Sequence, residues 1–149
     1  MMITIRPYHP DDLKAALNLL DLNTPEYFAP EERPGYEKYL RERVGEDFVV
    51  EINGKVIGCG GVSYKADGHT AMFSWAMIHP QHQGKGFGRK LGEYRLKHIR
   101  SQQRFKTVVV RTSQFTYAFY QKLGFQLQKM EKDYWARGYD LYYMEMELR

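Results

Sequence analysis

The stretch from Phe73 to Leu91 constrains this chain more than any other. An extended apolar run, Phe73 to Ile78, is closed by Pro80. Three glycines follow at alternate positions, Gly84, Gly86 and Gly88, and an amphipathic helical segment begins at once. Glycines let a backbone turn sharply and come close to a ligand. The first free N–H groups of the helix, with the positive end of its dipole, then face whatever lies in the turn. Strand, glycine turn and helix start in that order predict a site for a phosphate-bearing ligand.

Details of the turn separate the known solutions. A P-loop needs Gly-Lys followed by Ser or Thr for a metal; here Lys85 precedes Gly86 and no hydroxyl follows. A dinucleotide fold needs an acid at the end of the next strand, and the run Thr107 to Val110 ends in Arg111-Thr-Ser instead. A third pattern reads Gln/Arg-x-x-Gly-x-Gly after a strand ending in apolar-x-Pro. Gln83-Gly-Lys-Gly86-Phe-Gly88 after Ile78-His-Pro80 matches every fixed position, and so resembles the coenzyme A-binding motif of the GNAT acyltransferases.

A second match lies downstream. Phe119-Tyr120-Gln-Lys-Leu-Gly124-Phe125 is similar to the end of the family's later helix, with Gly124 where a helix C-cap takes a left-handed residue. Many members carry Asn seven positions before the tyrosine; here Ser113 stands there, and its hydroxyl can still bond the pantetheine arm.

At 149 residues the chain reads as one domain, 1–149, able to bury its core without metals or disulfides. Cys59 is the only cysteine, so no intrachain disulfide forms and a reducing cytoplasm is the expected compartment. It lies in the strand-like run Val56 to Gly60 and reads as a small buried hydrophobe rather than a nucleophile. No stretch approaches the ~20 apolar residues of a membrane span, and the N-terminus reads as a strand rather than a signal peptide.

Charge is uneven. Between His82 and Arg111 the chain carries nine Lys or Arg, Arg95 among them, and one acid, Glu93. For most of these a solvated helix face is the simpler reading. Arg89 and Lys90 differ, because a cation in a first helical turn opposes the helix dipole unless an anion occupies the spot. A basic stripe that tracks nucleic-acid phosphates is the competing explanation, without a recognisable module to support it.

The coarse pattern gives a strand at 3–6 and a helix after His9-Pro-Asp-Asp12. A Pro-containing loop at 23–34 leads to a helix at 35–44. Strands at 48–52 and 55–63 are joined by Asn53-Gly54, and a further strand covers 70–78. Helix 86–101 has Gly88, Leu91, Gly92, Leu96 and Ile99 on one face, with Gly92 expected to let it lie close to the sheet. Strand 106–111, helix 115–122 and strands 125–131 and 140–148 complete the chain. The order β-α-α-β-β-β-α-β-α-β-β predicts a three-layer α/β/α fold on a mixed, mostly antiparallel sheet, which is also the fold the resemblance implies.

The resemblance implies an N-acetyltransferase that moves the acetyl group of acetyl-CoA, a co-substrate, directly to a primary amine in a ternary complex, with no metal. It places the pantetheine along the backbone of Ala76, Met77 and Ile78. Gln83, Gly84, Lys85, Gly86, Phe87, Gly88 and Arg89 surround the pyrophosphate, and Ser113 and Tyr120 lie farther along the arm. Tyr120 aligns with the family's general acid; a phenol suits a thiolate leaving group, because a donor must be matched to the group it protonates. Twelve tyrosines make a core aromatic the alternative. Some relatives use a Glu in the strand before the turn, and this strand has none. His79 is then the nearest titratable side chain, with an ordinary pKa near neutrality; Glu31, Glu32, Glu46 or a water chain are further options. The loop 23–32 and the aromatics Tyr134, Trp135, Tyr139, Tyr142 and Tyr143 form a substrate wall, core or a homodimer contact. A catalytically silent acyl-CoA sensor is the other functional class open to such a chain. Acceptor, base, oligomeric state and acyl-chain preference are not legible.

Overall fold

In the computed structural model, which describes residues 2–149, seven strands form one mixed sheet flanked by four helices. Strands β1 (Ile3–Pro7), β2 (Glu46–Ile52), β3 (Lys55–Tyr64), β4 (Thr70–Ile78), β5 (Thr107–Thr112), β6 (Gln126–Ala136) and β7 (Tyr139–Glu147) lie in the order β1-β2-β3-β4-β5-β7-β6. Every pairing is antiparallel except β4 with β5. Helices α1 (Leu13–Leu22) and α2 (Arg33–Arg41) cover one face; α3 (Phe87–Ser101) and α4 (Tyr117–Leu123) cover the other. The predicted order and layers hold throughout.

Two cores follow from strand alternation. Phe48, Val50, Val62, Phe73, Val108 and Val110 point toward Leu91, Leu96 and Ile99 of α3 and Phe125. Val49, Cys59 and Met77 point the other way, onto Ala16, Leu20, Tyr36 and Leu40. Cys59 is buried there as expected, 3.1 Å from the Tyr36 hydroxyl, and burial pushes its thiol pKa up to about 12.

Several boundaries move for identifiable reasons. Helix α2 starts at Arg33 because Pro34 fits the first turn, where no N–H is needed, and it stops before Arg43, whose φ is 53°. Strand β6 runs on to Ala136: as an edge strand exposed on both faces it shows no apolar period to read. Gly92 serves a different neighbour from the one expected. A Cβ there would lie 2.7 Å from Leu123 Cδ2, so the glycine lets α3 approach α4 rather than the sheet. Arg95, counted with the solvated basic run, is instead buried on the inner face of α3 at 1% exposure. No helix among the described residues is long and apolar enough to cross a membrane.

The feature that makes a site is a split in the sheet. β4 and β5 pair over only four positions, Thr70 to Phe73 against Thr107 to Val110. Beyond these the strands part, while β4 stays paired to β3 and β5 to β7. Trp75 is the irregular residue that bends β4 away: the β3–β4 register slips between Ser74 and Met77, and Trp75 has φ 38°. A bulky side chain in that region is a true outlier, held there by its surroundings.

Candidate active site

The parted strands open a cleft of about 690 Å³ that runs from the start of α3 through the sheet to the loop after α1. At one end lies the glycine turn. Gly84 and Gly86 have φ 73° and 88°, and Gly86 is the N-cap of α3 with no side chain capping the first N–H groups. Those donors therefore face the cleft end unpaired within the protein. Arg89 lines the cleft, held 3.5 Å from Glu93 one turn on. Gln83 has a structural task as well: its Nε2 donates to Asn23 Oδ1 at 2.9 Å and to the Ile78 carbonyl at 3.0 Å. Asn23 Nδ2 donates to the same carbonyl at 3.1 Å, so α1 and the turn together fix the end of β4.

Most of the residues expected around the ligand line this cleft: Ala76, Met77 and Ile78 along β4, then Gln83, Gly84, Gly86, Gly88 and Arg89 at the turn. Ser113 and Tyr120 line the opposite wall. Lys85 and Phe87 do not. Lys85 is exposed on the turn, and the Phe87 ring is buried in the core beneath it. Ser113 Oγ accepts from the Phe115 N–H at 3.2 Å, which shapes the entry to α4.

Midway along the cleft sits Tyr120, 7% exposed, edge-on to Phe73 at 6.4 Å between ring centres. Gly124, with φ 120°, ends α4 one turn later and accepts the reversal that sends the chain into β6. Arg95 shares this part of the lining; its guanidinium lies 3.8 Å over the Phe73 ring.

The far end is aromatic. Trp75 packs against Phe28 and Tyr36 at 6.0 and 4.7 Å, and Tyr39 and Tyr27 stand beside them. From the other side the β6–β7 hairpin brings Trp135 and Tyr139. The Tyr139 hydroxyl donates to the Pro25 carbonyl at 2.6 Å, tying the hairpin to the loop after α1, and Trp135 Nε1 donates to the Thr112 carbonyl. Tyr134 contacts Arg111, and Tyr143 lies under Lys65; neither tyrosine nor Tyr142 lines the cleft.

Among the described residues one carboxylate lines the cleft, that of Glu32. Its Oε2 accepts from the Ala29 N–H at 2.8 Å, and burial raises its pKa above the ordinary carboxylate range against that hydrogen bond. Glu31 and Glu46 lie outside the lining, and Glu46 instead accepts from the Tyr64 hydroxyl. His79 also stands outside. Its Nδ1 accepts from the Gln81 N–H at 3.1 Å, capping the turn 80–82, and burial with the neighbouring His82 lowers its pKa. Of the candidate bases, Glu32 lines the cleft and His79 does not. Phe28 lies in the loop 23–32 expected at the substrate wall; sequence reasoning missed Trp75 and Arg95, and of these only Arg95 carried a signal, an arginine at core spacing on α3.

The family model for the acetyltransferase (GNAT) domain matches residues 45–127, more than half of the chain, and the chain belongs to the GNAT acetyltransferase family. Solved structures agree on the fold. A GNAT-family protein from Desulfovibrio desulfuricans superposes with a TM-score of 0.84 at 20% identity, covering 98% of this chain and 99% of that one. The ribosomal-protein-S18-alanine N-acetyltransferase of Escherichia coli gives 0.80 at 20% identity, with 98% and 94% covered. A GNAT family acetyltransferase from Elizabethkingia anophelis, solved with acetyl-CoA bound, gives 0.74 at 24% identity, with 98% of each chain covered. No curated protein sequence matches the chain.

Proposed function

We propose that the protein transfers the acetyl group of acetyl-CoA directly to a primary amine borne on a small acceptor with a single positive charge and a flat, apolar body. The observation that carries this reading is the continuity of the cleft: the glycine turn, Tyr120 and the aromatic chamber line one space. Pyrophosphate lies against the N–H groups from Gly84 to Arg89, with the Arg89 side chain beside it, and the helix dipole adds to the attraction. Pantetheine follows β4 from Ile78 to Ala76, and Ser113 faces it across the cleft. The thioester then stands near Tyr120. Acetyl-CoA supplies the reactive acyl group; the chain binds, orients and moves protons.

Direct transfer agrees with the nucleophiles present. Cys59 is buried under α2 with its pKa pushed up to about 12, and it lies outside the cleft. The amine nitrogen itself therefore attacks the thioester carbonyl. Glu32 first takes a proton from the bound ammonium, through water where the acceptor is short, and the neutral amine then forms the C–N bond; the second N–H proton leaves to solvent as the tetrahedral adduct collapses. As the C–S bond breaks, the thiolate takes the Tyr120 proton. A Glu with a pKa raised by burial is a better base near neutrality than an ordinary one.

Lining charge defines the acceptor. Glu32 stands against four cations, Arg89, Arg95, Arg111 and Lys122. A polyamine would meet one attractive and several repulsive partners, whereas a monoamine needs only Glu32. The chamber of Tyr27, Phe28, Tyr39, Trp75 and Tyr139 offers ring faces to a flat body and to the cation at its end. The test is CoA-thiol release from acetyl-CoA with phenethylamine, spermidine and an Ala-initiated tripeptide. Phenethylamine is expected to be turned over with the highest kcat/KM. Spermidine or the peptide ahead by tenfold or so refutes the acceptor class. Acetyl-CoA binding without turnover of any amine refutes the enzyme reading in favour of a sensor.

A further inference from the structure

We infer that Arg95 is a positioning residue for the proton donor: its guanidinium holds the Tyr120 hydroxyl and supplies the charge that faces this oxygen after its proton has gone to the sulfur. The inference rests on the reading of Tyr120 as the donor and adds a second group to it.

The argument begins with what burial of an arginine demands. A guanidinium has five N–H donors and a charge that it cannot lose. Among the described residues Arg95 is the largest fully buried side chain. Of its donors, Nη1 reaches the Gly61 carbonyl at 3.0 Å, while Nε is buried with no hydrogen-bond partner. Its ring contact with Phe73 supplies a cation–π attraction. The strand has made room for it, since a Cβ on Gly60 would lie 3.2 Å from Arg95 Cζ. The acid that supports it, Asp47, sits on the opposite face of the sheet against Gly61 and Tyr39. A charge held this way costs stability, and apolar residues of similar volume often replace such groups without loss.

The cost falls at one place in the molecule. Arg95 and Tyr120 both line the middle of the cleft, and both rest on the Phe73 ring, the guanidinium on its face and the phenol at its edge. Burial lowers the arginine's pKa, and Tyr120 is the foremost neighbour that offsets this. In the transfer step the C–S bond breaks, the sulfur takes the tyrosine's proton, and the tyrosine oxygen keeps the electron pair. A fixed cation beside that oxygen stabilises this state and needs no reorganisation at the moment of reaction. The oxygen regains a proton when the one removed from the amine returns through solvent.

A purely structural Arg95, tying α3 to β3, makes opposite predictions from a functional one, so the test is a mutant cycle. Arg95→Met and Tyr120→Phe are made singly and together. CoA-thiol release is followed with phenethylamine and, as a second rate needing no amine, with water as acceptor. Proton donation is typically worth ~10²–10⁴-fold, and Arg95→Met is expected to lose about tenfold or more of kcat within that. KM for acetyl-CoA should stay within about threefold, because ground-state binding is untouched. Melting temperature should hold or rise. On the Tyr120→Phe background Arg95→Met should change kcat by less than about twofold, since there is no longer a proton to support. Arg95→Lys, which keeps the charge, should recover part of the rate. Losses that multiply across the cycle overturn the inference, as does a fall in melting temperature with kcat intact. If Arg95→Met does not fold, the same cycle with Arg95→Gln, which keeps a donor for Gly61, decides by the same criterion. A Tyr120→Phe variant with normal kcat sinks the donor reading itself; a slow one with multiplying losses sinks only the role of Arg95.

Discussion

Replacing Gly86 by alanine isolates one term in cofactor binding. Gly86 has φ 88°, and a Cβ built there would meet nothing within 4 Å. Steric clash is thus absent, and the whole cost is the left-handed backbone, about 1–2 kcal/mol for an L-residue. Where that cost appears depends on the surroundings. Residues 84–86 are exposed, so the turn is free to relax in the unliganded protein and must be restored on binding. Acetyl-CoA affinity measured by calorimetry should then weaken by roughly 5–30-fold, at about 1.4 kcal/mol per factor of ten. Melting temperature should barely move. Gly54 provides the control: φ 82°, nothing within 4 Å of its Cβ, but set in a hairpin whose flanks are paired in β2 and β3. Gly54→Ala should lose the same 1–2 kcal/mol from folding stability and leave affinity alone. Equal acetyl-CoA affinity in Gly86→Ala and wild type refutes the placement of the pyrophosphate on this turn.

Glu32→Gln keeps the hydrogen bond to the Ala29 N–H but removes the base, so kcat/KM should fall by ~10²–10⁴ and lose its rise with pH, while acetyl-CoA affinity is retained; an unchanged pH–rate profile refutes Glu32. Burial, opposed by the Tyr39 hydrogen bond and by Arg95 and Arg43, raises the pKa of Asp47 from 3.8 to about 6. The folded state therefore holds this proton more firmly than the unfolded chain. The resulting stability is complete below about pH 4 and lost as pH rises through about 6. Asp47→Asn should match wild type in melting experiments at pH 4 and exceed it at pH 8 by at most about 3 kcal/mol, at ~1.4 kcal/mol per pH unit; equal stability at both refutes the shift. Trp75→Gly relieves a left-handed strain of order 1–3 kcal/mol while deleting the stacked ring. Stability should change little, and kcat/KM for phenethylamine should drop by about tenfold or more, at ~1.4 kcal/mol per tenfold; unchanged kcat/KM refutes the chamber as acceptor site.

What the residues disclosed and what they hid follow a physical line. The glycine turn, the hairpin at Asn53-Gly54 and the C-cap at Gly124 were legible because each rests on local backbone chemistry, and all three carry the predicted left-handed glycine. The alternation of β7 and the apolar face of α3 were legible because one side of each is buried. Strand β6 beyond 131 was not, since solvent on both faces leaves no period to read. The split between β4 and β5 has no local signal, because it depends on where pairing stops rather than on what each strand contains. Arg95 shows a subtler limit. Its place between Leu91 and Ile99 on the apolar face was visible, but composition grouped it with exposed neighbours, and only tertiary packing distinguishes a buried cation from a solvated one. Glu32 belongs to the same class: its partial burial comes from tertiary packing, not from spacing.

The parting of β4 from β5 also bears on how the molecule avoids its own kind. A sheet edge is a template for foreign strands, and proteins ordinarily blunt or cover it. Here two such edges face each other inside the fold, below the open mouth of a cleft. The gap is closed at one end by the four paired positions and crossed at the other by the Tyr139–Pro25 bond. Under the proposed function, the amide-bearing arm of the co-substrate is the chain that meets this backbone along β4, as a neighbouring strand would. On that reading the ligand takes the place of a strand, and the backbone most able to pair with another copy of the chain faces inward rather than out.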